Sequence, residues 1–144
     1  MHSIRLRGPW ECKPLERDGP GPLPSPCRVT MPCDWGDSLG HEFRGLVRFR
    51  RWFNRPTGLE AHERVWIVVE SVDATASVTL NGHPLGEIPL GATYCEFDIT
   101  ALLQPRNELL VEVGCPADAS LRPTDRGNLP GGLIGEVGLE IRGM

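Results

Sequence analysis

Short runs in which apolar residues stand two apart follow one another along this chain, each cut off by Gly, Pro or Asn, and no stretch of useful length repeats at 3.6 residues. Such a pattern argues against a helical bundle. Without crossover helices it also argues against a parallel α/β sheet, which leaves antiparallel strands packed face to face as a sandwich or jelly roll. The punctuation is dense, with 17 Gly and 14 Pro among 144 residues. Hydrophobic residues at 40% and charged residues at 24% are nevertheless ordinary for a folded chain, so the Gly and Pro mark turns rather than disorder. One domain over residues 1–144 is expected at this length. No period of about 20–50 residues points to a propeller or solenoid.

About eight strands follow from the pattern. Ser3 to Arg7 alternates, and Trp10 to Leu15 alternates again as a continuation of the same first strand. Residues 14–32 then hold six prolines with Gly19 and Gly21, which predicts a long irregular connection where neither helix nor central strand persists. Leu46 to Phe53 reads as a strand ended by the turn cluster Asn54 to Gly58, and Val65 to Glu70, apolar on both faces, as an interior strand. Ala76 to Leu80 and His83 to Ile88 flank Asn81-Gly82, a strong hairpin signal because both turn positions tolerate positive φ. Tyr94 to Ile99, Glu108 to Val113 and Glu136 to Ile141 complete the set, with one helical turn at residues 99–104 capped by Thr100 and ended by Pro105.

Charge and composition exclude several function classes. Fifteen Lys+Arg against nineteen Asp+Glu leave a net charge of −4, so no global field favours nucleic acid or anionic lipid, and neither partner is expected. No apolar run approaches the roughly 20 residues that span a bilayer. The segment Met1 to Gly8 lacks the apolar core of a signal peptide, so the cytoplasm is the expected compartment. Five cysteines (12, 27, 33, 95 and 115) cannot all pair, none stands in a C-x-x-C, and reduced thiols packed beside turns are expected. A Cys27–Cys33 bridge in an oxidising compartment is the lesser reading. The four histidines (2, 41, 62 and 83) are scattered and make no metal motif, with His83 read as an exposed hairpin residue. No cofactor is expected; loop carboxylates and carbonyls of such sandwiches can hold calcium, but no EF-hand-like run is present.

Candidate ligand groups lie on strands and in loops. Trp66, between Val65 and Ile67, is expected in the core. Trp52 alternates in phase with Leu46, Arg48 and Arg50, opposite Val47, Phe49 and Phe53. It could stack on a sugar ring while the arginines hydrogen-bond hydroxyls, or be covered by arginine stems on an outer face, the favoured of the two. Asp34-Trp35-Gly36-Asp37, followed by His41 and Glu42, has the composition of a polar-ligand site and equally of a loop pinned by an inward Trp. The loop from Asp118 to Gly132 is long enough to carry function, with Asp125, Arg126 and Asn128 placed to bind hydroxyls or simply to form solvated turns. Signs of an enzyme are few. Asp34/Asp37 and Asp118/Asp125 are carboxylate pairs without fixed separation, and no nucleophile elbow, P-loop, H-E-x-x-H or dinucleotide fingerprint occurs.

Several segments, taken in order, resemble one family. Met31-Pro32-Cys33-Asp34-Trp35, Phe43 through Phe53, Val72 through Gly86, Phe97 through Leu103, Asn107 through Val113 and Gly131 through Glu140 resemble the sugar-binding N-terminal domain of family 2 glycoside hydrolases. The resemblance runs from about Arg28 to Arg142. It implies a galactose-binding-like jelly roll that, in β-galactosidases, β-glucuronidases and β-mannosidases, packs beside a barrel carrying both catalytic glutamates. This chain has no room for a barrel of about 250 residues, so no hydrolase activity of its own is expected. The resemblance also implies that a loop before the Gly-Gly strand, here Asp125 to Asn128, reaches a sugar pocket; where many members carry Trp there, this chain has Leu129-Pro130.

The leading expectation is thus an all-β jelly-roll sandwich that is not an enzyme and that binds a carbohydrate such as a β-galactoside. Trp35 would supply a stacking face, and His41, Asp125, Arg126 and Asn128 hydrogen bonds. The rival expectation is an interaction module, a homodimer or an accessory domain docked on a partner protein, with no sugar binding of its own.

Overall fold

The computed structural model describes residues 2–17, 21–31, 39, 43, 45–70, 75–89, 94–115 and 135–143. Among them the period-two runs become ten strands: β1 (His2–Arg5), β2 (Trp10–Arg17), β3 (Cys27–Val29), β4 (Gly45–Asn54), β5 (Glu63–Glu70), β6 (Thr75–Leu80), β7 (His83–Ile88), β8 (Tyr94–Asp98), β9 (Arg106–Cys115) and β10 (Val137–Gly143). All pairings are antiparallel. One sheet has the order β1-β10-β5-β8 and the other β3-β2-β4-β9-β6-β7. With β2 and β3 set aside at one edge, β1-β10-β5-β8 faces β4-β9-β6-β7, the arrangement of a jelly roll.

The two strands beyond eight arise at the start of the chain, one from a change of sheet after Arg5 and one within the proline-rich segment. Ser3 to Arg7 and Trp10 to Leu15 are not one strand, because the chain passes from one sheet to the other between Arg5 and Trp10. The proline-rich connection also starts later than residue 14. Strand β2 runs through a buried Pro14 to Arg17, and β3 forms within the remaining proline-rich segment. Pro14 is tolerated because β3 pairs only with Trp10 to Cys12, leaving β4 as the sole neighbour there, and the register shifts between Pro14 and Glu16.

The core lies between the sheets. Val65, Ile67, Val69, Val137 and Leu139 from one face Val47, Phe49, Val78, Leu80, Leu109 and Val111 from the other. Trp10 is fully buried with its indole N–H donating to the Leu6 carbonyl at 2.6 Å. Trp66 is not part of this core. It faces outward, half-buried, with the Arg142 guanidinium 4.7 Å from its ring centre, because β5 is apolar on both faces and its inner phase is taken by Val65, Ile67 and Val69.

The hairpin turn forms as the sequence predicts, with φ of 51° at Asn81 and 82° at Gly82, and His83 is exposed. Asn81 also reaches the one fully buried polar side chain among the described residues, Asn107. The Asn107 carboxamide accepts from Asn81 Nδ2 at 3.0 Å and from the Gln104 N–H at 2.9 Å, and donates to the Gln104 carbonyl at 3.0 Å. The helical turn is shorter than expected, a 3-10 turn over Thr100–Leu102, and Thr100 does not cap it. Instead Asp98 Oδ1 accepts the Thr100 N–H at 3.0 Å and hydroxyl at 2.7 Å, and Thr100 Oγ1 accepts the Val65 N–H at 2.8 Å. No described helix is long and apolar enough to cross a membrane.

Candidate ligand cleft at the end of the sandwich

Alternation along β4 builds both sides of the candidate site. Leu46, Arg48, Arg50 and Trp52 face outward, while Val47, Phe49 and Phe53 are buried against the other sheet. Arg51 shares the inward phase with those three and is the charged exception in it. Where β4 ends, this arginine lines an open cleft of about 630 Å3 between the sheets. Ile4, Leu6, Phe53 and Leu139 are its apolar lining and Arg5, Arg51, Asn54, Arg106 and Trp52 its polar and aromatic lining; Arg5, exposed between core-facing Ile4 and Leu6, also lines a hollow with Glu70, Glu136 and Glu140. A smaller hollow of about 190 Å3 adjoins it across Arg51 and Trp52 and is lined by Arg28, Arg50 and Glu11 as well.

Trp52 is 37% exposed, with the Arg106 guanidinium 4.7 Å and the Arg50 guanidinium 5.9 Å from its ring centre. The indole is therefore flanked by arginines, which is the second of the two arrangements its phase allowed. Arg106 reaches it because Asn54 pairs with Arg106 and Trp52 with Glu108 across β4 and β9.

The charges are divided in an informative way. Away from the cleft, several arginines are matched with carboxylates: Arg7 with Glu136 at 3.1 Å, Arg48 with Glu112 at 2.8 Å, Arg64 with Asp98 at 2.5 Å, and Arg142 with Glu96 at 2.6 Å and Glu140 at 2.7 Å, whereas Arg28 and Arg55 pair with none among the described residues. Arg50 is matched with Glu11 and Glu108; the hydrogen bond from Glu11 outweighs desolvation and raises its pKa further, so it stays a cation. Arg5, Arg51 and Arg106 pair with no carboxylate among the described residues. Arg51 Nη1 donates to the Trp52 carbonyl, but its Nε is buried without a hydrogen-bond partner. The cleft thus presents uncompensated donors over an apolar wall, in a molecule whose net charge is −4.

Trp35, His41, Asp125, Arg126 and Asn128 lie outside the described residues, as do Cys33 and the carboxylates of both loop pairs. Among the described residues no three His, Cys, Asp or Glu side chains gather as a metal cage. Sequence reasoning singled out Trp52 with Arg50, but missed Arg5, Arg51 and Arg106. For Arg51 a signal existed, a charge in the phase of Val47, Phe49 and Phe53. Arg5 and Arg106 join it only through pairings distant in sequence.

Comparison with known proteins bears on the fold and the family. No curated protein sequence matches the chain. Similar solved structures include a Bifidobacterium dentium β-glucuronidase complexed with coumarin-3-O-glucuronide, at TM-score 0.76 and 23% identity over 99% of this chain. A Faecalibacterium prausnitzii β-glucuronidase has TM-score 0.73 and 23% identity over 99% of the chain, and a β-glycosidase from Bacteroides vulgatus 0.73 and 24% over 99%. This chain spans only 30%, 31% and 20% of those three proteins, respectively. Residues 46–138, from the outward phase of β4 into β10, match the family described as glycosyl hydrolase 2 galactose-binding domain-like. With that match over most of its length, on a jelly roll shared with those enzymes, the chain belongs to the galactose-binding-like domain family of glycoside hydrolase family 2.

Proposed function

We propose that this chain is a non-catalytic carbohydrate-binding sandwich, an accessory to glycoside hydrolysis rather than its agent. The observation that carries the reading is the cleft at the end of β4, whose apolar wall and facing donors match the two surfaces of a sugar ring. Its volume of about 630 Å3 falls within the range of small-ligand sites. Similarity to β-glucuronidases and a β-glycosidase supports the same chemistry. Trp35, His41, Asp125, Arg126 and Asn128 belong to this proposal as loop contacts, with Trp35 stacking and the others hydrogen-bonding hydroxyls.

The rival reading, a docking module, calls for a contiguous apolar face. Among the described residues the large exposed apolar side chains are Leu23 between β2 and β3, Trp52 on β4 and Tyr94 on β8. That dispersal favours the cleft. The test is a thermal-shift and calorimetric screen against galactosides, mannosides and glucuronides, with light scattering for mass. A saturable shift with one sugar class, weakened by Asp125→Ala at unchanged melting temperature, is expected. No shift with any sugar, together with a dimeric mass, would replace this reading with the docking module.

A further inference from the structure

We propose that Cys12 and Cys27 form a reversible cross-strand disulfide that fastens β3 to β2. The two cysteines are direct partners in the antiparallel β2–β3 ladder, next to the pairs Glu11–Arg28 and Trp10–Val29. Directly opposite residues of such a ladder turn their side chains to the same face. Burial agrees with this. Trp10, Cys12 and Val29 are buried, and Cys27 is half-buried and packs against the same core, while Glu11 and Arg28 face outward. The sequence alone suggests Cys33 as the partner of Cys27, because Cys12 meets it only through the ladder.

Whichever hydrogen-bonding class this pair belongs to, its Cα atoms stand about 4.5 or 5.5 Å apart, and disulfides span about 4.4–6.8 Å. The Cβ atoms of opposite residues lie about 4.5–5.5 Å apart, whereas a disulfide draws them to about 3.8 Å, so the ladder must close by about 1 Å. Strand β3 can yield that distance, since it has three residues, lies at the edge of its sheet and pairs with β2 alone among the described residues. Closing the ladder strains the bridge, and strained, partly exposed disulfides are the readily reduced ones.

A small disulfide such as oxidised glutathione is the oxidant. The thiolate of the partly exposed Cys27 attacks one of its sulfurs and expels a glutathione thiolate; the Cys12 thiolate then attacks the Cys27 sulfur of the mixed disulfide and expels the second. Two electrons and two thiol protons pass from the protein to glutathione, leaving one protein disulfide and two glutathione thiols. Cys12, only 1% exposed, is screened from the oxidant and acts second. The bridge closes a ring over residues 13–26, and it holds Arg28 opposite Glu11 where both line the smaller hollow beside Trp52.

The whole chain should be equilibrated in glutathione redox buffers, quenched in acid, digested and mapped for disulfides by mass spectrometry. A Cys12–Cys27 link is expected, opened again by reduced glutathione. The ring is one of about 15 residues whose prolines already restrict the unfolded chain, so the oxidised form should melt about 5 °C higher than the reduced one. Cys27→Ser, at a half-buried side chain, should remove that rise and melt like the reduced parent, whereas Cys33→Ser should keep it. The mapping uses the parent chain and stands whatever a variant does to the fold. A Cys27–Cys33 link, or Cys12 and Cys27 left as thiols while the oxidant reacts elsewhere, would overturn the proposal. A Cys12–Cys27 link that reduced glutathione fails to open would overturn its reversibility, and one that leaves the melting temperature unchanged would show that it fastens nothing.

Discussion

Asp98 shows how one side chain ties together neighbouring elements on the outer face of the four-stranded sheet. Its Oδ2 accepts from Arg64 Nε at 2.5 Å, and its Oδ1 accepts from both the N–H and the hydroxyl of Thr100. Desolvation alone would raise its pKa, but the hydrogen bonds from Arg64 and Thr100 outweigh it and hold the carboxyl below its ordinary value. A depressed folded pKa contributes stability that is present above the unfolded value of about 3.9 and is lost as pH falls through the folded value. Asp98→Asn should therefore be less stable than the parent at pH 7, with the gap narrowing from about pH 4 downward. Urea midpoints at pH 7 and pH 3 measure this. A gap equal at both values would mean that Asp98 acts by shape rather than charge. Single residues were legible where alternation was clean, as in placing Trp52 opposite Phe49 and Phe53. Trp66 was not, because a strand apolar on both faces gives no phase from which to choose the inner side.

Among elements, the β6–β7 hairpin and the β2–β4 pair depend on glycines for different physical reasons. Gly82 has φ of +82° and nothing within 4 Å of the place a Cβ would take, so only backbone conformation excludes other residues. Gly45, at the start of β4, has φ of +151°, and a Cβ there would lie 2.0 Å from the Glu16 carbonyl oxygen, where β2 shifts register. Gly82→Ala should cost about 1–2 kcal/mol, the penalty of a left-handed residue. Gly45→Ala should cost about 3 kcal/mol or more, because backbone must move and the end of the β2–β4 ladder with it. Urea denaturation compares the two, and equal losses would show that the Gly45 contact relaxes freely. The hairpin was readable from Asn81-Gly82 because a tight turn is set by adjacent residues. The course of β2 through Pro14 was not, since what makes a proline acceptable there is the missing neighbour beyond Cys12, a property of the sheet. Neither was the passage of the chain between sheets after Arg5.

At the scale of the molecule, the cleft depends on joining the two ends of the chain. Strand β1 pairs with β10, Ile4 opposite Leu139, and so brings Ile4, Arg5 and the following Leu6 to a site whose other residues come from β4, β9 and β10. The sandwich class was legible because alternation recurs in every strand, but this meeting was not, because nothing local links residues 2–5 with residues 138–141. The loop residues expected from the sequence, Trp35, His41, Asp125, Arg126 and Asn128, lie outside the described residues, so the cleft stands on contacts that only topology supplies. Fold and site can then be separated by truncation. Strand β1 is an edge whose side chains are exposed apart from a partly buried Ile4, while Leu6 is buried and holds its place through an N–H to the Val137 carbonyl at 2.8 Å. A chain beginning at Leu6 should stay folded and lose about 1–2 kcal/mol, the order of one partly buried aliphatic side chain and an edge ladder. Its affinity for the sugar class that the screen identifies should fall, since Ile4, part of the apolar lining, is gone. Urea unfolding and calorimetry on the same preparation measure the two effects. Full affinity after truncation would place ligand recognition elsewhere on the sandwich, and loss of the folded state would make β1 part of the cooperative core.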